Sequence, residues 1–101
     1  MSEEKKKQEV KLDIQLDDEV AQGVYANLAV INHSDAEFSL DFIFVQPQAP
    51  RAKVRARVIV SPKHAKRLLG ALHENVRNYE QQHGTIELGN APGGEPVGEY
   101  H

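Results

Sequence analysis

The side chains of this 101-residue chain that could carry chemistry are five histidines, one carboxylate inside an apolar run, a serine and a set of closely spaced bases. The histidines are His33, His64, His73, His83 and His101, and no two stand three or four residues apart, the spacing that sets two metal ligands on one helical face. His73-Glu74 begins like a zinc-protease motif, but Arg77 holds the place of the second histidine. Solvated helix-face residues are therefore the better reading. The absence of cysteine excludes disulfides, thiolate metal sites and thiol catalysis together. Asp41, flanked by Leu40 and Phe42, invites a catalytic reading as a carboxylate of raised pKa. A lone carboxylate with no nucleophile, base or metal beside it defines no reaction, so an ion pair with Arg57 or Arg55, or an amide contact to Asn27, is favoured. Ser61 stands directly before Pro62 and reads as a helix cap. Gly93-Gly94 opens no helix and makes no phosphate loop. The expectation is a protein that is not an enzyme and holds neither cofactor nor metal.

The bases are a different matter. From Phe42 to His73 the chain has seven of them (Arg51, Lys53, Arg55, Arg57, Lys63, Lys66, Arg67) and no acid. Residues 1–41 carry ten acids against four lysines, and residues 74–101 carry five acids against Arg77, for a net charge of −3. A basic middle thus lies between acidic ends, which either balance it within the fold or across an oligomer, or leave it for an anionic partner. Arg51, Lys53, Arg55 and Arg57 alternate, as residues sharing one side of a strand do, and Lys63, Lys66 and Arg67 extend the charge onto the first turns of a helix. Such a ribbon can track phosphates. Base-stacking aromatics are nearly absent from it, since only Tyr25 lies near the expected face.

Alternation and helical periodicity then supply the elements that position these residues. Met1 to Gln8 is polar and reads as a disordered tail, and residues 89–101 as a second, Gly/Pro-rich one, leaving one domain over residues 9–88. Val10, Leu12, Ile14 and Leu16 alternate with polar residues and predict a half-buried strand, followed by a connection with one helical turn closed at Gly23. Val24 to Ile31 predicts a second strand and Asn32 to Asp35 a turn. Phe38, Leu40, Phe42 and Phe44 share one face of the next strand, the expected core, and QPQAPR makes the loop before the strand that ends at Val60. Ala65, Leu68, Leu69, Leu72, Val76 and Tyr79 predict an amphipathic helix from Pro62 to His83, stopped by Gly84 and laid over the phenylalanines. The fold class is α+β: an antiparallel meander of three or four strands followed by one long C-terminal helix packed on one face.

A register follows. Pairing Phe44 with Val54 sets Phe42 opposite Ala56, Leu40 opposite Val58 and Phe38 opposite Val60; pairing Val30 with Phe38 sets Leu28 opposite Leu40 and Ala26 opposite Phe42. The reverse face then collects Tyr25, Asn27, Ile31, Asp41, Ile43, Arg55, Arg57 and Ile59. An apolar patch with a polar rim, left uncovered by the helix, marks an interface for self-association or a partner.

The stretches VYANLAVINHS, DFIFVQP and SPKHAKRLL, within a span of about residues 17–84, resemble a family of short bacterial and archaeal proteins catalogued as domain of unknown function 3467. The resemblance implies a small cytoplasmic family with no established activity and no catalytic residues. Neighbourhood of similar genes to those for RNA polymerase large subunits would favour an accessory role in transcription. A sheet followed by a long helix is also similar in architecture to the export chaperone SecB, a likeness of fold that licenses no function. With neither a signal peptide nor a long apolar run, the expected compartment is the cytoplasm, without membrane contact. The expected function is a small non-enzymatic interaction module that forms a homo-oligomer, a dimer first, with an unknown protein partner. The alternative is nucleic-acid binding, or a transcription accessory, through the basic middle.

Overall fold

Short polar turns and β-branched runs divide the residues that a computed structural model of the chain describes, 11–48 and 51–89, into a hairpin meander and one long helix. The order is α1 (Asp18–Ala21), β1 (Leu28–His33), β2 (Phe38–Val45), β3 (Ala52–Val60) and α2 (Pro62–His83). The sheet runs β1-β2-β3, antiparallel throughout, so the α+β class and the meander stand as expected. The expected disordered tails lie outside the described residues, apart from Gly89.

Helix α2 begins and ends where its sequence dictates. The Ser61 hydroxyl accepts from His64 N–H at 3.1 Å, satisfying one of the donors that a helix start leaves unpaired, and Pro62 needs no such partner. Gly84 ends the helix at φ 96°, a conformation that side chains with a Cβ rarely adopt, and its N–H returns to the Glu80 carbonyl. One helical turn, α1, stands ahead of the sheet, with Gly23 at φ 74° closing it.

The sheet departs from the expected register in two places. Between β1 and β2 the turn is tighter than its composition suggests. Ser34 Oγ accepts from Ala36 N–H at 3.1 Å and Glu37 N–H at 3.3 Å, while Ser34 N–H donates to the Glu37 carbonyl. His33 is thereby set opposite Phe38, ring stacked on ring at 5.2 Å. At the other end the Asn27 side chain both accepts from Val45 N–H at 2.9 Å and donates to its carbonyl at 3.1 Å. Leu28 therefore pairs with Ile43 and Val30 with Asp41, not with Leu40 and Phe38. The shift of three residues is odd, so the β1 faces exchange: Ala29, Ile31 and His33 join the phenylalanines, and Leu28 and Val30 join Asp41 and Ile43. Between β2 and β3 the expected pairs hold from Phe38–Val60 to Phe42–Ala56. A β-bulge at Arg55 then sets Ile43 opposite Val54 and Phe44 opposite Lys53.

Two other expectations fail for want of partners within one chain. Residues 11–16, the described part of the first expected strand, have no neighbouring strand and stay exposed, with Leu12 at 77% and Ile14 at 83%. Helix α2, expected over the phenylalanine face, has no buried residue. Only Ser61 separates it from β3, which gives a rod of about 33 Å little room to fold back across the strands. The radius of gyration is 17.6 Å, against about 13 Å for a compact chain of this length. The core is correspondingly thin. Its buried apolar members are Leu40, Ile43 and Val45, and two of these three lie on the face opposite the phenylalanines, which are only half buried.

Because the Asn27 amide bonds both backbone groups of Val45, Asn27→Ala should lower stability in urea unfolding by about 1–2 kcal/mol. Asn27→Asp keeps the acceptor for Val45 N–H and loses the donor, so its cost should fall between wild type and the alanine variant. Equal costs for the two variants would show that the donor carries the whole effect.

Candidate functional site

Asp41 is the most deeply buried side chain among the described residues, at 1% exposure, and it sits at the middle of the central strand. Register places Arg57 of β3 directly across from it. Arg57 Nε donates to Asp41 Oδ1 at 2.7 Å and Nη2 to Oδ2 at 2.8 Å, a two-pronged contact matching the planes of the two groups. The ion pair expected from sequence is present, although at a buried carboxylate and not on an open sheet surface. Arg57 itself stays 56% exposed, so water screens its end of the contact. Both oxygens of Asp41 are held by a cation that cannot give up its proton, a poor setting for a general base. Asn27, the other candidate neighbour, is engaged at Val45 instead.

The bulge divides the basic ribbon. Arg57 remains on the Asp41 side, whereas Arg51, Lys53 and Arg55 line an open cleft of about 370 Å³ with Phe44, Gln46 and Ala52. The four bases expected to project together are therefore split three to one. Two consecutive bulge residues, Arg55 and Ala56, face the same way opposite Phe42, and alternation resumes from there. Tyr25 also lies on this side, its ring edge-on to Phe44 at 5.9 Å, so the cleft holds more aromatic surface than expected. Lys63, Lys66 and Arg67 are exposed on the first turns of α2.

The eight residues expected on one interaction face are likewise distributed. Ile43 is buried at 5% and Asp41 is closed off by Arg57, so neither is presented to a partner. Ile31, 57% exposed, and Tyr25, 68% exposed, belong to the phenylalanine side because of the β1 register. Arg55 belongs to the cleft. Ile59, 55% exposed, and the outer part of Arg57 remain on the reverse side. Further exposed apolar surface lies along α2: Leu69, Leu72 and Tyr79 are more than half exposed, and Leu68 and Val76 more than a third. After Gly84 the chain turns back, Ile86 N–H bonding Glu80 Oε2 at 3.0 Å, and Ile86 forms a shallow groove with Asn75, Val76 and Tyr79. Among the described residues no three histidines or acids cluster as a metal site would require, and no helix is long and apolar enough to cross a membrane.

A family model described as protein of unknown function (DUF3467) matches residues 1–88, and the chain belongs to that family. The match takes in the acidic lead-in that the sequence resemblance had placed outside the pattern. No curated protein and no solved structure matches the chain.

Removing only the arginine of the central pair takes two charge-assisted bonds from a buried carboxylate. Arg57→Met should cost about 2–3 kcal/mol, below the 3–5 kcal/mol of a wholly buried pair because Arg57 is half in water. Replacing both members, Asp41→Leu with Arg57→Met, should recover most of that loss in the same urea titration. A double variant no more stable than the single one would show that the sheet needs the pair itself.

Proposed function

We propose that this member of the family is a small, non-enzymatic protein-interaction module of the cytoplasm that works as a homo-oligomer. The observation that carries the reading is the apolar surface one copy leaves open: Leu69, Leu72 and Tyr79 along α2, with Ile31 and Val58 on the phenylalanine side of the sheet. Extensive exposed apolar surface is uncommon on monomeric proteins and is typical of surfaces that meet another chain. A thin core makes association more valuable, because a small domain buries a smaller share of its unfolded surface than a large one does.

A second reading rests on the cleft of Arg51, Lys53 and Arg55 beside Phe44. Three cations around an aromatic ring suit a single-stranded nucleic acid, whose phosphates and bases such a surface engages together. The reading predicts binding that falls steeply with salt and a shallower slope once Arg51, Lys53 and Arg55 are replaced by alanine.

Sedimentation equilibrium at micromolar concentration should return a mass above that of one chain. Leu72→Asp, at a residue 59% exposed in the single copy, should return the mass of a monomer. A wild-type chain that is strictly monomeric at these concentrations would sink the oligomeric reading. Capture from native cells that collapses on nuclease treatment would transfer the function to the basic cleft.

A further inference from the structure

The open stripe of α2 has a spacing that a sheet cover does not need. Ala65, Leu69, Leu72, Val76, Tyr79 and His83 follow one another at intervals of four, three, four, three and four residues. That is the repeat of a two-helix seam, in which each side chain enters a hole on a facing helix. Leu69 is 67% exposed and Leu72 59%, so this part of the seam is open in one copy, while Ile86 shares a shallow groove with Val76 and Tyr79 farther along and its N–H bonds Glu80 Oε2. Tyr79 and His83, its last two members, already lie ring to ring at 4.7 Å.

We infer that α2 of a second copy fills this seam, running antiparallel. The inference rests on the oligomeric reading above and names its contact. Charge selects both the occupant and its direction. The first turns of α2 carry Lys63, Lys66 and Arg67, whereas its later turns carry Glu74 and Glu80, with Arg77 the only later base of the Lys/Arg type. Antiparallel alignment about a two-fold axis sets the layers Ala65 with His83, Leu69 with Tyr79 and Leu72 with Val76. One flank of the seam then consists of Lys66, His73 and Glu80, each one residue beyond a seam position. Lys66 of each copy comes beside Glu80 of the other, two opposite-charge pairs per dimer. A parallel pair would set Glu80 beside Asn75 and Lys66 near no acid of this flank. Opposed helix dipoles favour the antiparallel arrangement as well. A seam of three layers repeated about the axis is smaller than a standard interface, which points to micromolar association.

The chain contains no cysteine, so single-cysteine variants report the geometry without ambiguity. Leu69→Cys and Tyr79→Cys chains, mixed and gently oxidised, should give the mixed disulfide well ahead of either symmetrical one. Lys66→Glu should weaken self-association about tenfold, as should Glu80→Lys, and the double exchange in one chain should restore it. Symmetrical disulfides from each variant alone would overturn the antiparallel seam in favour of a parallel one. A dimer that forms neither disulfide, or that the double exchange fails to restore, would show that the copies meet elsewhere, overturning this inference and leaving the oligomeric reading intact. A wild-type monomer would overturn both, with α2 left to a different protein.

Discussion

A carboxylate at the centre of the middle strand, held by one arginine from the neighbouring strand, sets much of what the rest of the sheet does. Asp41 is almost wholly enclosed, and a charge in that position is tolerable only if both of its oxygens are paired. Arg57 meets that need through two short bonds, which draws it out of the basic ribbon and onto the Asp41 side. A slip of one residue between β2 and β3 would carry Arg57 to the other face and take both of its bonds from the carboxylate. The pair therefore acts as a register pin as much as a source of stability. The bulge at Arg55 lies just two residues away. Together the pin and the bulge turn a continuous run of alternating bases into one structural arginine and a cleft of three cations.

The second consequence is a shortage of core. The three buried aliphatic side chains among the described residues make a small core beside this much exposed apolar surface. The connection through Ser61 alone makes the shortage hard to repair within one chain, because the helix that would supply the missing contacts begins as soon as β3 ends. An amphipathic helix with no cover does not owe its stability to propensity alone; tertiary or quaternary packing of the apolar face normally provides it. The capped ends of α2 define its length, and its apolar stripe is left without cover in one copy.

Local chemistry was readable from sequence, and long-range pairing was not. The limits of α2 followed from Ser61-Pro62 and Gly84, and the β2–β3 register from matching four apolar positions on each strand. Asp41 and Arg57 were likewise paired on charge and register alone. The β1 register was missed because Ala26, Leu28 and Val30 make as good an apolar set as Ala29 and Ile31. What separates the two is the grip of the Asn27 amide on Val45 and the Ser34 hydroxyl turn, neither of which leaves a periodic signal. The bulge at Arg55 is equally silent, since no glycine or proline marks it. These two shifts moved Tyr25, Ile31 and Arg55 off the reverse face, and burial took Asp41 and Ile43 out of reach of a partner.

The strict spacing of the α2 seam was visible all along, but amphipathic periodicity does not say which surface a helix meets. A stripe meant for the sheet of the same chain and one meant for a second helix differ in width and in the charges at the margins. In α2 the margin has a base in its first part and an acid in its last, an order that serves no purpose against the phenylalanine face. Set against a reversed copy of the same helix, it becomes complementary. A helix margin with a base in its first part and an acid in its last is matched by the same margin running in the opposite direction.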